Sequence, residues 1–157
     1  MDIRRATVKD VNELFDLLST VQALHVNGRP DIFKAGATKY THEQIASIVE
    51  NENTPVFVLV DEKDIAVGYA FCSIQEEKET ENLYAQKTLY IDDLCVKDTL
   101  RGQGYGKRIY DFVLEKAKVY GCNRLTLNVW HLNQSALRFY EKLGMSPLKT
   151  TMEQKID

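Results

Sequence analysis

The sequence has little that would cross-link the chain, anchor it in a membrane or charge it strongly. Its three cysteines are odd in number and widely spaced, which predicts buried free thiols in a reducing compartment rather than disulfides or a metal site. No apolar run approaches the ~20 residues that span a bilayer, and the start MDIRRATVKD lacks a signal-peptide core. The formal net charge of -3 gives no general attraction to nucleic acid or anionic membrane. We therefore expect a cytoplasmic protein with no metal, nucleic acid or membrane partner.

The length and composition are those of one ordinary globular domain. A chain of 157 residues can bury a substantial core without cross-links. Its hydrophobic fraction of 44% and charged fraction of 27% are typical of a water-soluble fold. Because no internal repeat, low-complexity tract or linker interrupts the sequence, we expect a single domain over residues 1–157.

Strand and helix patterns alternate along the chain. Alternating apolar and polar residues, or short continuous apolar runs, predict strands. Apolar residues at helical spacing, with a polar cap at the start and a glycine at the end, predict helices. The expected strands are residues 2–6, 56–60, 65–75, 89–96 and 124–130, followed by one or two from Met145 onward. The expected helices run from Val11 to near His25, from the Thr41 cap to about Glu52, from near Tyr105 to Gly121, and from the Asn133 cap to Gly144.

The stretch from Leu89 to Gly106 contains the strongest functional signal. It is a strand followed by a glycine-rich loop that opens into a helix, and free amides at a helix start bind anions. A Walker loop is excluded because only three residues separate Gly102 from Gly106 and Arg108 follows Lys107. A dinucleotide fingerprint fits poorly, since the loop reads G-x-G-x-G and follows a polar turn. The loop therefore predicts a different phosphate ligand.

Two motifs resemble the GNAT superfamily of acetyl-CoA-dependent N-acetyltransferases. RGQGYG at residues 101–106 resembles the family's R-x-x-G-x-G loop, and NQSALRFYEKLGM at residues 133–145 resembles its downstream block. Order, spacing and element type agree across the chain. The resemblance implies an α/β (α+β) GNAT fold, which is a mixed, mostly antiparallel twisted sheet flanked by about four helices. Its fourth and fifth strands splay apart to admit the pantetheine arm.

The resemblance also implies where acetyl-CoA binds as co-substrate. The loop amides hold the pyrophosphate, the splayed strand offers backbone groups to pantetheine, and the amide of Leu94 or Cys95 polarises the thioester carbonyl. The Asn133 counterpart contacts pantetheine, although an N-cap role alone would also explain this residue. The implied cofactor-binding residues are Leu94, Cys95, Val96, Arg101, Gly102, Gln103, Gly104, Tyr105, Gly106, Lys107, Asn133 and Tyr140.

Tyr140 and Asp92 are the candidate catalytic side chains, together with the Leu94 amide. Tyr140 matches the family tyrosine assigned as general acid, although a packed core tyrosine is the alternative. YIDDLCV resembles a stretch of the diamine and polyamine acetyltransferase branch in which the first acid handles the amine, so we prefer Asp92 and expect Asp93 to support the structure. The two carboxylates point to opposite faces unless a bulge intervenes. Aspartate here replaces the branch's longer glutamate.

The acceptor side is less determined by sequence. His131 is the rival base, and an acyl-cysteine at Cys95 lacks a paired histidine. The candidate substrate-side residues are His25, Arg29, Asp31, Phe33, Asp92 and His131. We expect direct acetyl transfer to a primary amine of a small molecule, with diamines and polyamines as one class. Protein N-terminal or lysine acetylation, and a noncatalytic acyl-CoA sensor, are the alternatives. A homodimer is expected from the family and from the strands predicted in the C-terminal tail.

Overall fold

The computed structural model of the protein describes residues 1–156 and contains five strands and four α-helices within that range. Short 3-10 turns precede α1 and α3. The strands are β1 Asp2–Arg5, β2 Val56–Val60, β3 Ala66–Glu77, β4 Gln86–Val96 and β5 Arg124–Leu127. The helices are α1 Val11–Gly28, α2 His42–Glu50, α3 Tyr105–Val119 and α4 Gln134–Lys142.

The strands form one sheet in sequence order, β1-β2-β3-β4-β5. The first three pairings are antiparallel and the β4–β5 pairing is parallel. The parallel pairing requires a crossover, and α3 provides it. The prediction of a mixed, mostly antiparallel sheet with four helices is confirmed.

Helices cover both faces of the sheet. One core cluster packs against α1 and α2 and includes Leu14, Ile45 and Tyr69. The second packs against α3 and includes Ile91 and Ile109. All five residues of β2 are buried because the strand is covered on both sides, which explains its continuous apolar sequence.

The start of α1 is held to β1 by a buried carboxylate. Asp10 is 3% exposed and accepts two hydrogen bonds of 2.8 Å from the Arg4 guanidinium. It also accepts a 2.8 Å bond from the Thr7 amide, which forms a capping box. Burial alone raises the pKa of a carboxyl, but the hydrogen bonds from Arg4 and Thr7 outweigh it and hold the pKa of Asp10 below its ordinary value.

Several predicted boundaries were wrong. Strand β3 ends at Glu77 rather than residue 75, and β4 begins at Gln86 rather than residue 89. Helix α1 continues to Gly28, three residues past His25, because no helix-breaking residue precedes that glycine. Helix α2 stops at Glu50 rather than about Glu52. Strand β5 ends at Leu127 instead of residue 130, because its pairing with β4 stops there.

The prediction of strands after Met145 was also wrong. Residues 145–156 contain no strand in the structure. A strand needs a partner for its backbone groups, and the contacts of this segment include side-chain ion pairs such as Glu153 with Arg29 and Lys155 with Asp31. Sequence propensity alone does not supply a partner strand.

Candidate functional site

A gap opens in the sheet where β4 and β5 separate. The two strands pair from Thr88 with Arg124 to Ile91 with Leu127. Strand β5 then ends, whereas β4 continues for five more residues to Val96. The backbone of residues 92–96 therefore has no β5 partner on that side, and the predicted splay of the fourth and fifth strands is confirmed.

Strand alternation identifies which amides point into the gap. The Lys97 amide donates to the Val67 carbonyl at 2.8 Å, so Lys97 faces β3. Because successive residues of a strand direct their backbone groups to opposite sides, Cys95 also faces β3, while Leu94 and Val96 face the gap. Of the two amides expected to polarise a carbonyl, that of Leu94 is directed into the gap.

The glycine loop leads from the end of β4 into α3. Gly102 has a φ of 75° and Gly104 a φ of 83°, which is left-handed backbone that suits glycine. A Cβ built at either position meets nothing within 4 Å, so this surface is open. The first helical bond of α3 runs from the Arg108 amide to the Gly104 carbonyl at 3.1 Å. The preceding amides of the first turn lack intrahelical partners and are available to an anion.

Gly106 has a different structural role. A Cβ there would lie 3.3 Å from the ring of Phe139 on α4. Glycine therefore allows α3 and α4 to pack closely beside the loop. Gln103 and Tyr105 lie in the same turn, where Gln103 Nε2 donates to the Thr99 carbonyl at 3.2 Å and the Tyr105 ring lies 5.7 Å from the Arg108 guanidinium.

The two cations expected at the phosphates are paired within the chain. Arg101 contacts Asp98 at 2.7 Å, and its Nε donates to the Val96 carbonyl at 3.3 Å. Lys107 contacts Asp111 at 2.6 Å. Arg101 is 49% exposed, and the other three charged side chains are 50% exposed or more. Both ion pairs are therefore weak, and each cation can exchange its carboxylate partner for another anion.

Tyr140 lies on α4 with its ring against Phe139 and Tyr110, at centroid distances of 5.0 and 6.3 Å. Among residues 1–156 its hydroxyl has no hydrogen-bond partner, and it is not among the buried unpaired polar atoms, so the hydroxyl reaches solvent. Burial of the ring raises the pKa of Tyr140 above its ordinary value, and the charge of Asp93 adds to the shift. The hydroxyl therefore keeps its proton at neutral pH. Asn133 caps the same helix by accepting from the Ala136 amide at 3.0 Å.

A β-bulge places both carboxylates of the acidic pair on the same face. The register with β3 shifts between Asp93, opposite Phe71, and Ile91, opposite Cys72, which leaves Asp92 as the extra residue. Asp92 accepts from the Tyr40 hydroxyl at 2.8 Å, and Asp93 accepts from the Tyr69 hydroxyl at 3.1 Å.

Both of these tyrosines belong to the α1 and α2 side of the sheet. The two carboxylates were expected on opposite faces unless a bulge intervened, and the bulge places both on one face. Burial raises the pKa of Asp93 above its ordinary value, and the negative charge of Asp92 acts in the same direction. Asp93 is therefore more basic than an ordinary aspartate.

Sequence reasoning missed two residues beside this pair. Lys39 Nζ lies 2.8 Å from Asp92 Oδ2, and Tyr40 donates to the same oxygen. Both residues belong to the loop between α1 and α2, where the sequence has no periodicity. The only usable signal was the aromatic and basic character of Lys39 and Tyr40 immediately before the Thr41 cap.

Two of the predicted substrate-side residues, His25 at the end of α1 and Phe33 in the loop after it, lie close to Trp130 beyond the end of β5. His25 stacks on Phe33 at 4.9 Å, and Phe33 meets Trp130 edge-on at 5.2 Å. Arg29 and Asp31 instead form an ion pair at 2.8 Å, which Glu153 extends at 2.6 Å from Arg29.

His131 and Cys95 offer weaker chemistry than the carboxylates. His131 is exposed in the turn before α4, and its backbone carbonyl accepts a hydrogen bond from Gln134 Nε2 at 2.6 Å. Cys95 is 6% exposed, and burial raises the pKa of its thiol to about 11. A thiol with that pKa is almost entirely protonated at neutral pH and is a poor nucleophile.

Comparison with known proteins agrees with this arrangement. The acetyltransferase (GNAT) family profile matches residues 20–145, which is most of the chain and includes the gap, the glycine loop and Tyr140. The chain belongs to the GNAT family. The GNAT resemblance predicted from RGQGYG and NQSALRFYEKLGM is therefore confirmed.

Individual GNAT relatives and a solved structure extend the comparison. Thialysine N-epsilon-acetyltransferase of Bos taurus is 29% identical over 113 residues, which cover 72% of this chain and 60% of that protein. Spermine/spermidine N(1)-acetyltransferase of Bacillus subtilis (strain 168) is 25% identical over 79 residues, covering 50% of this chain and 51% of the relative. The chain thus spans less than two thirds of the length of these curated relatives.

The crystal structure of a tetramutant of the BH1408 protein from Bacillus halodurans superimposes with a TM-score of 0.94 at 34% identity. It covers 99% of this chain and 100% of that one, so this GNAT fold is shared from end to end. Within residues 1–156, none of the helices combines the length and hydropathy needed to cross a membrane.

Proposed function

We propose that this chain is an acetyl-CoA-dependent N-acetyltransferase that transfers the acetyl group directly to a primary amine of a small molecule, with diamines and polyamines as one candidate class of acceptor. The observation that carries the proposal is the gap between β4 and β5. The Leu94 amide points into this gap. Tyr140 lies on the α3 side of the sheet, and its hydroxyl has no partner among the described residues. The carboxylates of Asp92 and Asp93 lie on the other face, with α1 and α2. The proposal treats residues 1–157 as one catalytic domain.

The residues present fit acetyl-CoA. The open left-handed glycines at Gly102 and Gly104 leave room for a pyrophosphate beside the first amides of α3, and the positive end of the helix favours its charge. Arg101 and Lys107 can exchange their exposed carboxylate partners for phosphate oxygens. The bound co-substrate would supply an activated acetyl thioester.

Groups of this chain carry out the other steps of acetyl transfer. The Leu94 amide stabilises negative charge that develops on the carbonyl oxygen. Asp92 binds the acceptor as an ammonium ion, and the more basic Asp93 takes up its proton through water. Tyr140 donates a hydrogen bond, and then its proton, to the departing thiolate sulfur. Because Cys95 stays protonated and buried, direct transfer to the amine is favoured over an acyl-cysteine intermediate.

A substrate panel tests the proposal. Purified protein is mixed with acetyl-CoA and monoamines, diamines, polyamines or peptides, and release of the free CoA thiol is followed. We expect turnover with small amines, and Asp92→Asn should raise the KM for the amine by about tenfold or more while leaving the KM for acetyl-CoA unchanged.

Two results would contradict the proposal. CoA binding without turnover on any amine or peptide would favour a noncatalytic acyl-CoA sensor. Acetylation of peptide N-termini or lysines with no turnover of small amines would favour a protein acetyltransferase instead.

A further inference from the structure

Lys39 forms an ion pair with Asp92, the carboxylate that binds the acceptor amine in the proposed function. Its ammonium lies 2.8 Å from Asp92 Oδ2, and it also lies 5.6 Å from the centre of the Tyr40 ring. The side chains of Lys39 and Asp92 are 36% and 29% exposed. An ion pair this accessible to water adds little to the free energy of unfolding. Its contribution to stability therefore does not explain why the pair is present.

The charges at this place leave room for one ammonium ion. Asp92 and Asp93 project from the bulge on the same face. Lys39 is the ammonium that pairs with Asp92, and its charge, together with that of His25, acts on Asp93. Two carboxylates and one ammonium give a net charge of about -1 when all three are ionised. A singly charged amine would balance that charge, whereas a compact diamine would bring one positive charge too many.

Asp92 does not need Lys39 to hold its orientation. Tyr40 donates to Asp92 Oδ2 at 2.8 Å, and the Tyr40 ring is held in turn by Phe71 at a centroid distance of 5.8 Å. The second oxygen, Oδ1, has no recorded partner among residues 1–156 and is available to an acceptor. Lys39 therefore adds positive charge to a carboxylate that another residue already positions.

We propose that Lys39 is a built-in counter-ion of the acceptor subsite, which competes with the acceptor amine for Asp92 and limits how much positive charge an acceptor can carry. Lys39 is thus a specificity-determining residue of the site, and this role rests on the proposed function. It predicts that removing the Lys39 charge improves binding of cationic acceptors, and improves it most for dications.

The experiment compares butylamine with 1,4-diaminobutane, which differ by one amino group on the same carbon chain. Four proteins are used: wild type, Lys39→Met, Lys39→Arg and Lys34→Met. Methionine keeps an unbranched apolar stem without the charge, and arginine keeps the charge. Lys34 is a lysine of the same loop for which the described residues show no ion pair, so it serves as the matched control.

Kinetic constants come from CoA thiol release, and dissociation constants come from calorimetry in the presence of CoA. Lys39→Met should lower the KM and Kd of 1,4-diaminobutane by about tenfold and those of butylamine by about threefold, with kcat changed by less than about twofold. Lys39→Arg and Lys34→Met should behave as wild type. High salt should shrink the differences, since the effect is electrostatic.

The opposite outcome is equally measurable. If Lys39→Met raises the KM of both amines and lowers kcat, Lys39 positions Asp92 and the inference is wrong. Calorimetry separates this inference from the proposed function. Amine binding that tightens in Lys39→Met without any turnover would support the counter-ion and reject the enzyme. Equal amine affinities in wild type and Lys39→Met, or no amine binding in either, would overturn the counter-ion.

Discussion

Replacing Tyr140 with phenylalanine should separate catalysis from stability. The substitution removes one hydroxyl, which has no hydrogen-bond partner among residues 1–156 and reaches solvent. The ring keeps its contacts with Phe139 and Tyr110 at 5.0 and 6.3 Å. Because only a water contact is lost, the free energy of unfolding should change by no more than about 0.5 kcal/mol.

The effect on catalysis should be far larger. General acid catalysis contributes about 10²- to 10⁴-fold, so kcat should fall by that factor, which corresponds to about 2.7–5.4 kcal/mol of transition-state stabilisation. In the proposed mechanism the hydroxyl acts on charge that develops only as the sulfur departs. The KM values for amine and acetyl-CoA should therefore stay close to those of wild type.

The assay combines steady-state CoA release with thermal unfolding. Tyr110→Phe is the matched control, because it removes a hydroxyl from the neighbouring ring of the same core cluster, and it should leave kcat close to wild type. A Tyr140→Phe protein that unfolds at the wild-type temperature and keeps kcat within about threefold would refute Tyr140 as the general acid.

Two further substitutions test the loop and the β1–α1 contact. Gly104→Ala forces a side chain to adopt a φ of 83° and should weaken CoA binding about tenfold, whereas Gly121→Ala, at a φ of 70° after α3, should cost a similar ~1–2 kcal/mol of stability and leave CoA binding unchanged. Asp10→Asn should lower the unfolding free energy at pH 7 by about 2–4 kcal/mol, because the charged hydrogen bonds from Arg4 are lost. Although burial raises the pKa of Asp10, those bonds hold it below its ordinary value, so this stabilisation is complete above about pH 4 and declines as the pH falls further.

Two results would contradict the predictions for Gly104→Ala and Asp10→Asn. Calorimetry of CoA binding that shows equal losses in Gly104→Ala and Gly121→Ala would mean that the glycine loop does not contact the co-substrate. Urea unfolding that gives the same difference between wild type and Asp10→Asn at pH 7 and pH 2 would mean that the Asp10 carboxylate charge contributes nothing to folding.

Local chemistry made the cofactor side of the site predictable. Gly104 marks a left-handed turn, and Asn133 accepts a capping bond, and both properties follow from the residue itself and its near neighbours. The strand, loop and helix around RGQGYG were therefore predicted with nearly correct limits.

The acceptor side depends on contacts between distant parts of the chain. Tyr40 meets Asp92 across 52 positions, and the bulge that turns Asp92 and Asp93 to one face arises from the register with β3. Neither property can be read from a short window of sequence. The expected strands after Met145 failed for the same reason, because strand propensity in that segment says nothing of a partner.

In the proposed function, acetyl-CoA binds in the gap between β4 and β5 and at the first turn of α3. The most direct test is an amide NMR titration of the full chain with acetyl-CoA. If acetyl-CoA binds there, large shifts are expected at Leu94, Val96 and residues 102–107. Amides around the surface cavity between β1, α2 and α3, lined by residues such as Val49 and Phe112, should not move. Shifts confined to that cavity, or none at saturating acetyl-CoA, would contradict the account.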